Sequence, residues 1–328
     1  MTSQVEAIGR VPTRWRRVLN FPLVRISVAI LFIAIPVAAV EIPLNLFVTD
    51  KSLRGLGALL LAAVVLVAYR TYVRVMEKRP VTELSGRGAG LEWGSGFALG
   101  ALLFSATIGI LAAFGVYRVS GNNGWQSMLS LLPVCIFAGI FEEVLIRGIL
   151  FRILEQWLGS WVALAISAII FGALHLFNPG ATLFAGAAIA IEAGILLAAA
   201  YMFTRRLWFC IGLHMAWNFT QGGIFSVAVS GGKSKGLLQS KLIGPDWLTG
   251  GGFGAEASAV ALAICLTMGI ILLVLAVKRG HVVAVLARAH SVSKARLVRE
   301  RSWDSVAKRA GQSRLAKDGV AHEHGQRA

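Results

Sequence analysis

The chain has 328 residues, 56% of them hydrophobic and only 15% charged, with a mean hydropathy of +0.72 and a net charge of +16. A soluble domain carries about 25% charged residues. Here the apolar residues run in blocks of 18 or more, the length a helix needs to cross roughly 30 Å of hydrocarbon, whereas a closed β-barrel would show alternation in short strands. The composition excludes a soluble globular enzyme and predicts an all-α, multi-spanning helical membrane bundle.

In chain order, residues 1–20 form a basic segment with Arg10, Arg14, Arg16 and Arg17. Eight spans follow at about 22–48, 54–75, 93–117, 126–150, 160–177, 181–203, 207–228 and 256–277. The first apolar run is too long for a secretory signal and lacks its small-residue cleavage site, so it reads as a retained span. Every even-numbered span exits into a basic stretch: Arg70 to Arg87, then Arg147 with Arg152, Arg205 with Arg206, and Lys278 with Arg279. The positive-inside rule therefore predicts a multi-pass cell-membrane protein with both termini cytoplasmic. The outer loop at about 229–255 holds Lys233, Lys235 and Lys241, which weakens that asymmetry without reversing it.

The organisation expected is a basic N-terminus (1–20), two spans with a basic loop (21–92), a core of spans (93–277) and a basic tail (278–328). After residue 277 there are twelve Lys or Arg against four acids. With no nucleic-acid module beside them, these charges point to anionic lipid headgroups of the bilayer and not to nucleic acid. The tail is expected to begin with an interfacial helix at Val282 to Leu286 and to be otherwise disordered, His322-Glu323-His324 included. Cys135, Cys210 and Cys265 sit singly in apolar runs, so no disulfide framework or thiolate metal site is expected. No internal repeat marks an inverted-repeat transporter.

Ionisable side chains inside hydrocarbon are costly and mark function by default. Six stand out: Glu41, Glu142, Glu143, His175, Glu192 and His214. Of the chain's six histidines, only His175 and His214 fall within spans. Glu143 and Arg147 are four residues apart, acid first, which stacks them as an ion pair on one helix face. Glu142 points about 100° away and has no local cation. A glycine-centred turn is expected near Leu158-Gly159-Ser160. Glu142 lies 17 residues before Gly159 and His175 lies 16 after it. At 1.5 Å per residue the two reach nearly the same depth, differing by about 1–2 Å. Phe171, one turn before His175, would wall the pocket between them. His214 and Asn218 form another pair four residues apart. For His214 to reach the depth of Glu142, the fourth span must continue through Arg147 to Gln156 as an amphipathic stretch.

A carboxylate and a histidine can deprotonate a water for attack on a peptide carbonyl, while a second histidine and an amide donate to the oxyanion. The same atoms of Glu142, His175 and His214 would also suit a divalent metal such as zinc with an open water position. The spacing leaves both open. No HExxH stands in the chain, which excludes the helix-borne zincin pattern. Gly94-Ser95-Gly96 lacks a histidine in a serine-type arrangement, and its glycines read as helix packing.

These residues resemble the CPBP intramembrane peptidases, the CAAX-protease and bacteriocin-processing (Abi) family. The pattern EExxxR stands as Glu142-Glu143-Val-Leu-Ile-Arg147, FxxxH as Phe171-Gly-Ala-Leu-His175, and HxxxN as His214-Met-Ala-Trp-Asn218. The resemblance covers roughly 95–277. It implies an eight-helix fold with a water-containing cavity open to the cytosol and cleavage of a membrane-associated or lipidated protein or peptide. It further implies water activation by Glu142 and His175, oxyanion stabilisation by His214 and Asn218, and support from Glu143 and Arg147. Two other classes use the same residues: a transporter or proton or metal carrier, and a non-catalytic membrane scaffold.

Overall fold

The computed structural model describes residue 18 and residues 20–285. The expectations for residues 1–17 and for the tail beyond 285, with His322 and His324, lie outside the described residues. Among the described residues six helices are long and apolar enough to cross a membrane: α1 (Pro22–Phe47), α2 (Lys51–Val75), α3 (Ala89–Ala113), α4 (Trp125–Leu158), α6 (Leu183–Thr204) and α8 (Ala259–Lys278). Between them lie the shorter apolar helix α5 (Ser160–His175) and helix α7 (Leu207–Asn218). The helical membrane bundle expected from composition is therefore the fold.

Local chemistry sets the helix ends. Asp50, Thr182 and Ser258 each cap a helix, accepting from the backbone N–H three residues on at 2.9, 3.0 and 3.1 Å, which satisfies a donor the helix cannot. Pro22 starts α1, where a missing N–H costs nothing. Gly159, at φ +78°, reverses the chain between α4 and α5 in a single residue, a conformation costly for any side chain. Small residues then bring helices close, as packing without a hydrophobic driving force requires. A Cβ on Gly96 would stand 2.1 Å from the Phe209 carbonyl oxygen, and one on Gly212 2.2 Å from that of Trp93. Backbone therefore meets backbone where α3 crosses α7.

Three expectations are corrected. The third and eighth helices run 89–113 and 259–278, shifted from the expected 93–117 and 256–277. Tyr117–Asn122 is instead a strand, β1, paired antiparallel with β2 (Leu238–Leu242). The pair satisfies backbone groups that the end of a span leaves unpaired. The fourth helix does continue to Leu158, but its end is not an exposed amphipathic stretch: Arg147, Arg152 and Glu155 are all buried.

Ion pairing makes that burial possible. Glu77, just past α2, takes Arg25 of α1 at 2.8 Å, Arg79 at 2.7 Å and Arg152 of α4 at 2.9 Å. Glu83 takes Arg79 at 2.6 Å and a short hydrogen bond from Tyr69. Glu155 pairs with Arg205 and accepts from Ser160 at 2.6 Å. Burial pushes the Glu77 carboxyl up, but Arg152, Arg25 and Arg79 outweigh it and hold it at about 2. Glu83 is lowered too: burial opposes ionisation, and the bonds from Arg79 and Tyr69 overcome it.

Because the folded value of Glu77 lies below its ordinary 4.5, its stabilisation is complete above that pH and is lost as pH falls towards about 2. The detergent-solubilised protein is expected to melt progressively lower across that window. Glu77→Gln should cost on the order of 3 kcal/mol at neutral pH, since it strands the buried Arg152, and should flatten the acid dependence in thermal unfolding.

Candidate active site

Two of the three helices that carry the motif residues, α4 and α7, widen locally, and so does α6 beside them. α4 passes into i→i+5 turns at Val144–Phe151, immediately after Glu142 and Glu143. α6 does so at Ala190–Ile195, around Glu192. α7 does so at Phe219–Ile224, immediately after Asn218. Such turns are uncommon and gather at functional sites.

Glu143 is fully buried, and its Oε1 accepts two bonds: from Arg147 Nη1 at 2.9 Å and from His214 Nδ1 at 2.9 Å. Arg147, also fully buried, gives Nη2 to the carbonyls of Ala193 and Gly194 at 3.0 and 3.3 Å, on the widened turn of α6. One chain of charge-assisted bonds thus runs α6–α4–α7. The i, i+4 pair expected from sequence is present, and the bond to His214 is an addition to it.

Phe171 is the ring around which the rest assembles. Its centroid lies 4.6 Å from that of His175 and 6.3 Å from that of His214, the latter edge-on. The Arg147 guanidinium sits 4.7 Å from the same centroid, a cation–π contact in a dry setting. His175, the last residue of α5, gives Nδ1–H to the Phe171 carbonyl at 2.8 Å. A carbonyl can only accept, so His175 presents Nε2 as its working atom. His214 presents Nε2 as well, since Glu143 occupies its Nδ1.

Glu142 differs from its neighbour. Its side chain is 30% exposed against 0% for Glu143, and its Oε2, with no hydrogen-bond partner, stands 3.9 Å from His214 Nε2. Glu142, Phe171 and His175 line one cavity of ≈ 200 Å³, walled by Leu145, Ile146 and Leu174. His175, His214 and Asn218 line a second of ≈ 30 Å³, with Phe171 again between. Glu142 and His175 thus line one cavity from either side of the Gly159 turn, and His175 stands at the junction with the second. Asn218 borders the second cavity, one turn beyond His214. Glu41 lies on α1 and lines neither cavity.

Residues 123–220 match the family model described as Rce1-like, type II CAAX prenyl endopeptidase Rce1-like. Over this segment, under a third of the chain, the sequence is similar to the CAAX protease family. No curated protein and no solved structure matches the chain. The family segment holds Glu142, Glu143, Arg147, Phe171, His175, Glu192, His214 and Asn218, and it ends before the loop that closes the second cavity. A CAAX-type protease is the general class this supports.

Metal ligation finds no donor set here. Among the described residues no group of three or more His, Cys, Asp or Glu side chains is placed to hold a metal ion, and Glu142, His175 and His214 do not make one.

Two residues of the second cavity had no role from sequence. Glu192 stood out as an ionisable residue in a span, and here it is buried on the cavity wall. Glu256 sits in a one-turn helix (Ala255–Ala257) ahead of α8, where it is 2% exposed. Its only sequence signal is an acid at the edge of the last apolar block.

Glu143→Gln should leave Arg147 as an uncompensated buried charge, costing about 3–5 kcal/mol. Thermal unfolding of the purified variant is expected to show that loss, and Glu142→Gln, at a partly exposed carboxylate, much less.

Proposed function

We propose that the protein is an intramembrane endopeptidase that hydrolyses a peptide bond of a membrane-associated or lipidated protein or peptide. The observation that carries this reading is the convergence of a partly exposed carboxylate that accepts no hydrogen bond at Oε2 and two imidazole Nε2 atoms on adjoining cavities around Phe171. The family match adds the class of reaction.

Glu142 is the general base. Its free Oε2 can accept a proton from a water lying between it and His175, whose Nε2 holds the same water. The hydroxide so formed attacks the scissile carbonyl carbon. The carbonyl oxygen takes the negative charge and meets His214 Nε2 and the Asn218 amide. Since His214 gives Nδ1–H to Glu143, its Nε2 can donate only when the ring carries both protons. Glu143 is a carboxylate within hydrogen-bond reach of that cation, so it offsets the charge while fixing the ring. As the C–N bond breaks, the proton held by Glu142 passes to the leaving nitrogen, and one water has been consumed. The apolar walls of the larger cavity, Phe141, Leu145, Ile146 and Leu174, suit a client presented from the bilayer.

Reconstituted protein should cleave a lipidated C-terminal peptide, with Glu142→Ala and His175→Ala each lowering kcat by about 10²–10⁴ and leaving unfolding temperature near that of the parent. Asn218→Ala should lower kcat by roughly 10²–10³ with little change in KM, as removal of an oxyanion donor does. Unchanged cleavage in Glu142→Ala and His175→Ala together would overturn the reading.

A further inference from the structure

The larger cavity, which Glu142 and His175 line, has one more polar residue on its wall, Asn178. Its other walls are apolar side chains. Asn178 is half-buried there, three residues past His175. Its backbone N–H donates to the His175 carbonyl at 3.1 Å, and its carbonyl accepts from the Ala181 N–H at 3.2 Å. Both main-chain groups are thus engaged inside the turn, and what remains for the cavity is the side-chain amide.

A turn asparagine ordinarily bends back, its side-chain oxygen accepting a backbone N–H two residues on. Asn122 does so, taking the Gly124 N–H at 2.6 Å. Asn178 makes no such bond to Gly180, and among the described residues no group pairs with its amide. The turn is nevertheless held firmly. A Cβ on Gly231 would stand 1.7 Å from the Pro179 carbonyl oxygen, and one on Gly180 3.1 Å from the Gly252 carbonyl carbon. The loop ahead of α8 therefore closes on this turn at two points. A fixed amide whose donors and acceptor meet nothing in the protein leaves them to a ligand in the cavity.

We infer that Asn178 binds the main chain of the client beside the bond to be cut. A primary amide offers one acceptor oxygen and two N–H donors, and an extended peptide presents the N–H and C=O of one residue on the same side. Asn178 can therefore close two hydrogen bonds with a single client residue, as a neighbouring strand would. Contacts of this kind read no side chain. Cleavage would tolerate varied residues at that position and reject one whose backbone N–H is blocked, proline included. The place of this contact in cleavage rests on the endopeptidase reading, whereas its binding of peptide rests on the cavity alone.

The probe is a prenylated peptide in phosphatidylcholine vesicles that hold the full-length protein, with analogues each N-methylated at one backbone position. In the wild type one analogue should lose about tenfold in kcat/KM, as the loss of one hydrogen bond does. Asn178→Ala should raise KM about tenfold with kcat nearly unchanged, since a bond kept from ground to transition state is lost equally from both. The same analogue should then lose nothing further. Asn178→Asp, which keeps the side chain's size without its donors, should raise KM likewise and replaces the alanine variant if that one does not fold. An unmoved KM, or N-methyl losses that persist undiminished in the variant at every position, would overturn the inference. Binding of the intact peptide to Glu142→Ala protein, followed by fluorescence anisotropy, should weaken about tenfold when Asn178→Ala is added. An unchanged Kd would overturn the inference whether or not the wild type cleaves anything. A weakened Kd beside a wild type without Glu142-dependent cleavage would support the contact and overturn the endopeptidase reading alone.

Discussion

Glu143 is the residue on which the rest of the bundle's interior depends. A carboxylate with no exposure is tolerated only because Arg147 and His214 each meet it at 2.9 Å. Arg147 in turn spends its second nitrogen on carbonyls of α6. Three helices are locked by one charge that cannot be removed singly, since any one deletion strands another buried charge. That lock sets the position of His214, and Phe171, held under the guanidinium, sets the position of His175.

The backbone makes room for these groups in a particular way. At the α3–α7 crossing, Gly96 and Gly212 let main chains approach with no side chain between them, so α7 is held rigidly at the end that presents His214. Elsewhere, on α4, α6 and after Asn218 on α7, the regular ladder gives way to wider turns at 144–151, 190–195 and 219–224. Arg147 finds its carbonyls on the second of these turns.

How much of this was legible in the sequence varies with the range of the interaction. Glu143 and Arg147 are one helical turn apart, so periodicity alone pairs them. Glu142 and His175 are separated by a turn whose residue, Gly159, is recognisable, so counting residues matches their depth. The bond from His214 to Glu143 spans 71 residues, and no local rule sets which face of α7 meets α4. The same holds for the pairing of Tyr117–Asn122 with Leu238–Leu242, where a single-sequence reading ends the third span at about 117 and leaves a loop. The burial of Arg152 is hidden for a related reason: its partner Glu77 lies 75 residues away, so the stretch reads as amphipathic while its charge is neutralised from the segment just past α2. The widened turns leave no signal in composition, since Val144–Phe151 reads as ordinary apolar helix.

The two histidines differ in what their shared orientation allows. Both give Nδ1 to a fixed acceptor, and both therefore turn Nε2 towards the cavities. A carbonyl at Nδ1 of His175 is content with a neutral ring, whose Nε2 accepts, which is the state needed to hold a water with Glu142. A carboxylate at Nδ1 of His214 compensates a charged ring, whose Nε2 donates, which is the state needed to hold an oxyanion. The difference between acceptor and donor thus comes from what lies behind each ring, a peptide group in one case and Glu143 in the other. The second acid of the Glu142-Glu143 pair is in this sense not a duplicate of the first: in the proposed mechanism Glu142 handles the proton of water, and Glu143, bonded to His214 Nδ1, decides what that histidine can do with a negative oxygen.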